Sequence, residues 1–235
     1  MSQDVWLAIH TTDTPGAVAL ACDGEVQALP LDADGKHAST LLGAIKALLA
    51  EVHKEIVQVN GVVLTCGPGS FTGIRIGMAT AQGLAQALGV PVSFCDSLWA
   101  EAAAHAKLGT LATVLDARRG EVYAGLYEIG QDGPGEILAP FVDAPAVTAR
   151  RLLDAMAPRS TLHVSGSGSG LLSFSDGVSV RVERIDRVPR TDVARALALA
   201  AQAGRLPRQA PRALEPLYLR KSDAELNRQA RLGTR

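Results

Sequence analysis

Short apolar, β-branched runs alternate with amphipathic segments along the first half of the chain. The short runs predict buried strands, and they cover residues 5–9, 17–21, 25–31, 62–66 and 90–94. Apolar residues at three- and four-residue spacing predict helices, and these cover residues 37–53, 72–88 and 97–107. The predicted order is three strands, a helix, a strand, a helix, a strand and an alanine-rich helix.

The second half repeats this order of a three-stranded meander followed by a helix. Strands are predicted at 111–116, 122–129, 136–142, 161–164 and 178–185, and helices at 146–156 and 193–203. No sequence repeat accompanies the repeated order, so a duplication rests on the order of elements alone. We predict two lobes, 1–107 and 108–204, followed by a basic tail, 205–235.

Residues 61–89, GVVLTCGPGSFTGIRIGMATAQGLAQALG, form the most informative stretch. The glycines and proline at 67–69 cannot continue a strand or a helix, so the chain turns there. Ser70 or Thr72 can cap the helix that follows, because either hydroxyl can accept from a backbone N–H of the first turn. Gly89 suits the left-handed residue that ends a helix.

Small residues at four-residue spacing form a ridge along this predicted helix. They are Gly73, Gly77, Ala81 and Ala85. A glycine-rich turn before a helix can hold a phosphate, although the Gly-Lys-Ser/Thr of a P-loop is missing. The ridge can also contact a partner helix, or it can pack on the chain's own sheet. The spacing alone does not separate these interpretations.

Three segments carry a resemblance to a known family. GPGSFTGIRIG at 67–77, DARRGEVYAGLY at 116–127 and EPLYLRK at 215–221 resemble, in this order, motifs of the TsaB (YeaZ) family. With the opening hairpin, the resemblance covers nearly the whole chain. It implies an α/β chain with the two-lobed actin-like ATPase (ASKHA, ribonuclease-H-like) fold, in which each lobe is a mixed sheet with flanking helices.

The composition fits a globular protein of a reducing compartment. The chain has 235 residues, of which 47% are hydrophobic and 20% charged. No apolar run reaches the roughly 18 residues of a membrane span, and the N-terminus lacks the basic region of a signal peptide. Three separated cysteines, Cys22, Cys66 and Cys95, indicate buried thiols. We therefore expect a cytoplasmic protein with no membrane contact.

Charge is distributed unevenly along the chain. The net charge is −1, so the protein surface as a whole does not attract negatively charged nucleic acid. Residues 205–235 carry eight Lys or Arg against three Asp or Glu, a local charge of +5 that leaves −6 for the remainder. We expect the end of this tail, 221–235, to be mobile. An RNA-binding module that uses the tail is one functional alternative, which the acidic remainder disfavours.

The first strand does not end in the residue that an actin-like ATPase needs. Such an enzyme needs an acidic residue there to place Mg²⁺, and this chain has His10 before Thr11 and Thr12. A neutral imidazole cannot replace a carboxylate toward Mg²⁺, which takes oxygen ligands, so we expect His10 to bond a backbone carbonyl. Asp13 lies on the following turn, where aspartate has an ordinary structural role.

No intact metal site or nucleophile is predicted. The other histidines have no nitrogen or sulfur ligand three or four residues further along the chain, and Ser70 lacks the glycine two positions later that a nucleophile elbow has. The densest polar cluster consists of Asp116, Arg118, Arg119, Glu121 and Tyr123. Glu121 and Tyr123 share one face of a hairpin and can line a cleft between the lobes. A solvated hairpin tip with internal ion pairs explains the cluster equally well.

The TsaB resemblance implies a non-catalytic scaffold subunit without a cofactor. It implies that the chain binds and activates the transferase TsaD, together with the ATPase TsaE. The product is N6-threonylcarbamoyladenosine at position 37 of tRNAs that read ANN codons. The chain is expected to contact tRNA only indirectly, through the complex. The alternative from another class is an actin-fold small-molecule kinase or ATPase, which would turn over nucleotide by itself.

The same resemblance implies that the first two helices dock on TsaD, or on a second copy of the chain when TsaD is absent. The residues expected at this interface are Leu41, Ile45, Gly73, Ile74, Gly77, Met78 and Ala81. If Gly77 lies there, Gly77→Leu should leave the fold intact and block binding. If the ridge packs on the chain's own sheet, the same change should lower stability by overpacking.

Overall fold

The computed structural model describes residues 4–22, 24–32, 37–105, 109–174 and 179–220, with the backbone alone for 37–39. The strands are β1 (Trp6–His10), β2 (Ala17–Cys22), β3 (Glu25–Pro30), β4 (Gly61–Thr65), β5 (Val92–Cys95), β6 (Gly109–Arg118), β7 (Glu121–Gly130), β8 (Gly133–Asp143), β9 (Thr161–Ser165) and β10 (Arg181–Arg184). The helices are α1 (His37–Glu51), α2 (Phe71–Leu88), α3 (Ser97–Ala103), α4 (Pro145–Asp154) and α5 (Arg190–Gln202). Within the described ranges, no helix is both long enough and apolar enough to cross a membrane.

The first sheet has the strand order β3-β2-β1-β4-β5. β1 pairs with β2 and β2 with β3 in antiparallel fashion, whereas β1–β4 and β4–β5 are parallel. β1, β2 and β4 are buried along their whole length, because helices cover both faces of the sheet. α1 and α2 pack side by side on one face, and α5 packs on the other.

The second sheet repeats the topology of the first. Its order is β10-β9-β6-β7-β8, in which β6, β7 and β8 form the antiparallel meander and β9 and β10 add in parallel. α4 covers one face and α3 the other. The repeated topology confirms the duplication that the order of predicted elements indicated.

Two helices cross between the lobes. α3 lies in the predicted range 1–107 but packs on the second sheet, and α5 lies in the predicted range 108–204 but packs on the first. Leu98 and Ala102 of α3 are buried against β6 and β7 of the second sheet. Leu197 of α5 is buried against the first sheet, in the same cluster as Trp6 and Ala8. An amphipathic pattern shows that one helix face is buried but carries no information about which sheet buries it.

The predicted tail from 205 to 235 is not a free segment over its described part. Leu206 is buried in the core of the first lobe. Gln209 forms an antiparallel bridge with Val92 at the edge of the first sheet, with N–O distances of 2.7 and 2.9 Å. Residues 214–220 continue to the cleft between the lobes. The expected mobility of 221–235 lies outside the described residues.

Helix ends follow the capping predictions in part. The Ser70 side chain accepts from the Gly73 amide, and Gly89 ends α2 in the left-handed conformation with φ of 69°, as predicted. Asp96 caps α3, and its side chain accepts from the Trp99 amide. α5 begins at Arg190, directly after Pro189. Proline fits the start of a helix because no N–H bond is lost there.

Candidate functional site

The three motif segments that resemble the TsaB family meet in one cleft between the lobes. The turn after β4, the hairpin joining β6 and β7, and residues 217–220 line a cavity of about 580 Å³. The loops that follow β1 and β9 complete its walls. The carboxyl ends of neighbouring parallel strands in both sheets therefore point into this cleft, the usual place of a ligand site in an open α/β sheet.

The end of β1 is closed by a buried cluster of neutral polar side chains. His10 Nδ1 lies 3.1 Å from Thr65 Oγ1, and Thr12 Oγ1 lies 3.1 Å from the same Thr65 oxygen. Ser97 Oγ donates to Thr12 Oγ1 at 2.8 Å. All four side chains are buried. At the position where an ATPase of this fold places a carboxylate, this chain has an imidazole within hydrogen-bond reach of hydroxyls.

Asp13, on the turn that follows β1, belongs to an ionic cluster that joins the lobes. Asp13 pairs with Arg187, and its Oδ2 lies 3.4 Å from Arg190 Nη1. Arg190 also donates to both carboxylate oxygens of Glu101, at 2.5 and 3.2 Å. Burial, and secondarily the charge of Arg190, lowers the pKa of Arg187 to about 10. The Asp13 carboxylate is thus already balanced by guanidinium groups, which opposes its use as a Mg²⁺ ligand.

Sequence reasoning did not identify Glu101, Arg187 or Arg190 as functional residues. The members of the cluster stand far apart in the sequence, on α3, on the loop after β10 and at the start of α5. No motif spacing joins them, and the two crossing helices bring them together. Among the residues that the structure describes, no three His, Cys, Asp or Glu side chains are grouped so as to hold a metal ion.

The polar cluster of the β6–β7 hairpin divides between the cleft and the hairpin itself. Asp116, Arg118 and Tyr123 line the cleft, and Arg118 also pairs with Asp116 at 3.3 Å. Glu121 lies beside the cleft, 3.4 Å from Arg220 Nη1. Burial raises the pKa of Tyr123, and the Arg220 guanidinium partly offsets this. Both interpretations of the cluster hold in part, since cleft-lining side chains also form internal ion pairs.

The small-residue ridge of α2 packs on the chain's own sheet. We call Gly73, Gly77, Ala81 and Ala85 the inner row. All four are buried. A Cβ atom at Gly73 would collide with the carbonyl oxygen of Thr11, and one at Gly77 would collide with the Thr11 hydroxyl. The ridge is therefore a close internal contact, and the glycines are needed because β1 and its loop approach the helix backbone.

This packing corrects the expected partner interface. Leu41, Ile45, Gly73, Ile74, Gly77 and Ala81 are buried by this chain's own residues. Met78 is partly buried against the same core. These six buried residues face this chain's own core, so the docking surface that we propose below lies on the opposite side of the helices. The helical spacing was correctly identified, but it marks the inner face and not the outer one.

The opposite side of α1 and α2 is exposed. We call it the outer face, and it consists of Leu42, Gly43, Lys46, Ala47, Ala50, Arg75, Ala79, Gln82, Gly83, Gln86 and Ala87. A Cβ at Gly43 or Gly83 would have no heavy atom within 4 Å, and Leu42 is 58% exposed. Neither helix carries a carboxylate within this surface, from 42 to 50 and from 75 to 87. On α4, by contrast, the exposed residues include Arg150, Arg151 and Asp154.

Comparisons with known proteins agree with this architecture. Residues 26–227 match the family model of the tRNA N6-adenosine threonylcarbamoyltransferase TsaD. An uncharacterized protein of Mycobacterium tuberculosis is 33% identical over 189 residues, which cover 80% of this chain and 77% of that protein. The tRNA threonylcarbamoyladenosine biosynthesis protein TsaB of Bacillus subtilis is 36% identical over 124 residues, 52% of this chain and 54% of TsaB.

The solved structure of YeaZ from Pseudomonas aeruginosa extends the likeness to the whole fold. It superposes with a TM-score of 0.74 at 26% identity, and the match covers 92% of this chain and 100% of YeaZ. Together with the repeated sheets, this likeness confirms the predicted two-lobed actin-like fold.

Proposed function

The chain belongs to the TsaB (YeaZ) family, and from this premise we propose that it is a non-catalytic partner subunit in the synthesis of N6-threonylcarbamoyladenosine in tRNA. In this proposal it binds and activates a TsaD-type transferase, together with the ATPase TsaE. The modified nucleotide is position 37 of tRNAs that read ANN codons. The chain meets tRNA only through the complex.

The outer face of α1 and α2 carries the docking part of the proposal. Exposed glycine and alanine residues let another backbone approach closely, because no side chain projects from Gly43 or Gly83 to hold it away. Leu42 supplies an exposed apolar side chain at the edge of this surface. The two charges present, Lys46 and Arg75, have the same sign, so a partner that covers this face would offer small or apolar side chains with carboxylates at the rim.

We propose that the isolated chain self-associates through the same face. A two-fold axis that passes between two copies of α1 and α2 pairs the face with itself, which is the usual isologous arrangement of a homodimer. TsaD and a second copy then compete for one surface. We expect the isolated chain to lose its dimers as TsaD is added, which size-exclusion chromatography with light scattering would follow.

The surroundings of His10 and Asp13 support a subunit that does not itself turn over ATP. His10 is held among hydroxyls and Asp13 among arginines, so neither is set to place Mg²⁺ at a nucleotide phosphate. We expect the purified chain to hydrolyse ATP no faster than background. ATP turnover that disappears in His10→Ala or Asp13→Asn would overturn this and favour an actin-fold kinase or ATPase.

Co-purification from the chain's own cells tests the proposal as a whole. We expect a tagged copy to retain TsaD and TsaE, and we expect tRNA modification by purified TsaD and TsaE to depend on added chain. As a control away from the outer face, Ala146→Leu on the exposed side of α4 should behave as wild type. Full modification without the chain, or no retention of TsaD, would contradict the proposal.

A further inference from the structure

We call residues 214–220 the strap, and residues 217–220 of it line the cleft. On the first lobe, the Leu217 amide donates to the Cys66 carbonyl at 2.8 Å. The Tyr218 ring stacks on Phe71 with 4.9 Å between centroids, and the Arg75 guanidinium lies 3.9 Å from the centre of the same Phe71 ring. The strap is therefore bound to the turn after β4 and to the first turn of α2.

The end of the strap is bound to the second lobe. Arg220 Nη1 donates to the Ala117 carbonyl at 2.7 Å and lies 3.4 Å from a Glu121 carboxylate oxygen. Leu219 packs against the apolar cluster that contains Leu115 and Tyr123. Within seven residues, the chain thus passes from contacts with one lobe to contacts with the other.

The turn after β4 is shaped to receive the strap. A Cβ atom at Gly67 would lie 2.5 Å from the Leu217 carbonyl oxygen, too close for any other residue. Gly67 also has φ of 115°, which glycine adopts readily. Gly67, the first glycine of the GPGSFTG motif, is therefore required for the Leu217 backbone to pack on this turn. Two of the motifs that identify the family form this one contact.

The strap lies where the lobes would otherwise separate. Each lobe has its own apolar cores around its own sheet, and domains with separate cores move relative to one another by default. The crossing helices and the cluster of Asp13, Arg187, Arg190 and Glu101 also join the lobes, through contacts that do not include Arg220. Contacts of the strap with both lobes oppose opening at the mouth.

We propose that the strap is a clamp that sets the closure of the two lobes, with Arg220 as its latch. When Arg220 leaves Ala117 and Glu121, the strap loses its polar contacts with the second lobe. The lobes can then open, and the cavity of about 580 Å³ widens. This device belongs to the isolated chain and does not depend on the docking of TsaD.

Pulsed electron spin resonance on the full chain tests the clamp. Spin labels at Val57→Cys and Val147→Cys report the distance between the lobes, since these side chains are 70% and 49% exposed and lie on different lobes. Unsubstituted chain treated with the same label sets the background from the native cysteines. Arg220→Gln is compared with Arg118→Gln, whose arginine pairs with Asp116 on its own hairpin. Hydrogen exchange of the Leu217 amide reports release of the strap.

We expect Arg220→Gln to speed exchange of the Leu217 amide by at least ~10-fold and to shift or broaden the distance distribution. Arg118→Gln should change neither. Tyr218→Ala, which removes the stack on Phe71, should act in the same direction as Arg220→Gln. Faster exchange with an unchanged distance distribution would show that the strap does not hold the lobes. Unchanged exchange together with an unchanged distance distribution in Arg220→Gln would show that Arg220 is not the latch, and an equal effect of Arg118→Gln would show a general effect of charge. Each of these three results overturns the proposal.

Discussion

The two faces of α2 carry the same pattern of small residues in opposite surroundings. The inner row is packed against β1 and its loop, and a Cβ at Gly77 would collide with Thr11. On the outer face, Ala79, Gly83 and Ala87 repeat the four-residue spacing, yet Gly83 has open space around it. One row brings the helix close to its own sheet, and the other is exposed on the surface.

This difference shows what a small-residue ridge means. Small side chains permit close approach, but the approaching element must be identified separately. At the inner row it is the Thr11 backbone, which no helical partner can displace without unfolding the lobe. At the outer face the proposed element is another chain. The comparison therefore predicts that equal changes on the two faces have unequal consequences.

The largest expected effect is loss of stability in Gly77→Leu. Leucine would force four carbons into the contact with Thr11 and Ile9, which should lower the free energy of unfolding by about 3 kcal/mol. For a chain of this size, this corresponds to a fall in the melting temperature of roughly 6–12 °C. Thermal unfolding followed by circular dichroism measures it. An unchanged melting temperature would contradict this comparison, because it would show that the inner row is not tightly packed in the core.

A smaller substitution tests which contact restricts the inner row. Gly77→Ala should cost about 1–2 kcal/mol of stability, because the added methyl group meets the Thr11 hydroxyl. In a Thr11→Ala background the hydroxyl is gone. Alanine at 77 should there be neutral, or stabilising by up to ~1 kcal/mol through its helix propensity.

The four variants of this cycle, unfolded in urea, give the coupling directly. A coupling of about 1 kcal/mol or more is expected for residues in contact. Additive effects of the two substitutions would mean that Thr11 is not the element that restricts Gly77.

The smallest expected effect is a gain of stability in Gly43→Ala on the outer face. Gly43 is inside α1 and has no heavy atom near the position of an added Cβ. The substitution should raise the free energy of unfolding by about 0.5–1 kcal/mol, because alanine loses less entropy than glycine in a helix. Urea unfolding is again the measurement. A loss of stability would reveal a contact at this position and sharpen the boundary of the outer face.

Local patterns in the sequence predicted the elements well. The apolar runs that became β1, β2 and β4 are buried on both faces, so their composition alone identifies them. The cap at Ser70 and the stop at Gly89 depend on neighbouring backbone groups, and both were predicted. These features are local in the chain and can be inferred without knowing the fold.

Long-range placement was not predictable from the same patterns. Nothing in α3 or α5 indicates that each packs on the other lobe's sheet, and the cluster of Asp13, Glu101, Arg187 and Arg190 depends on that exchange. The two rows of α2 have the same spacing, so the sequence could not show which one is buried. The cleft was predicted in part, because its motifs were recognised, but the path of the strap across it was not.

The central claim is that the outer face docks on TsaD, and calorimetric titration of TsaD with Gly83→Leu tests it most directly. Leucine at 83 points into open space, so the melting temperature should stay equal to wild type or rise. At a central interface position the affinity should fall by at least ~30-fold, about 2 kcal/mol, while the control Ala146→Leu binds as wild type. Wild-type affinity in the folded Gly83→Leu chain would contradict the claim.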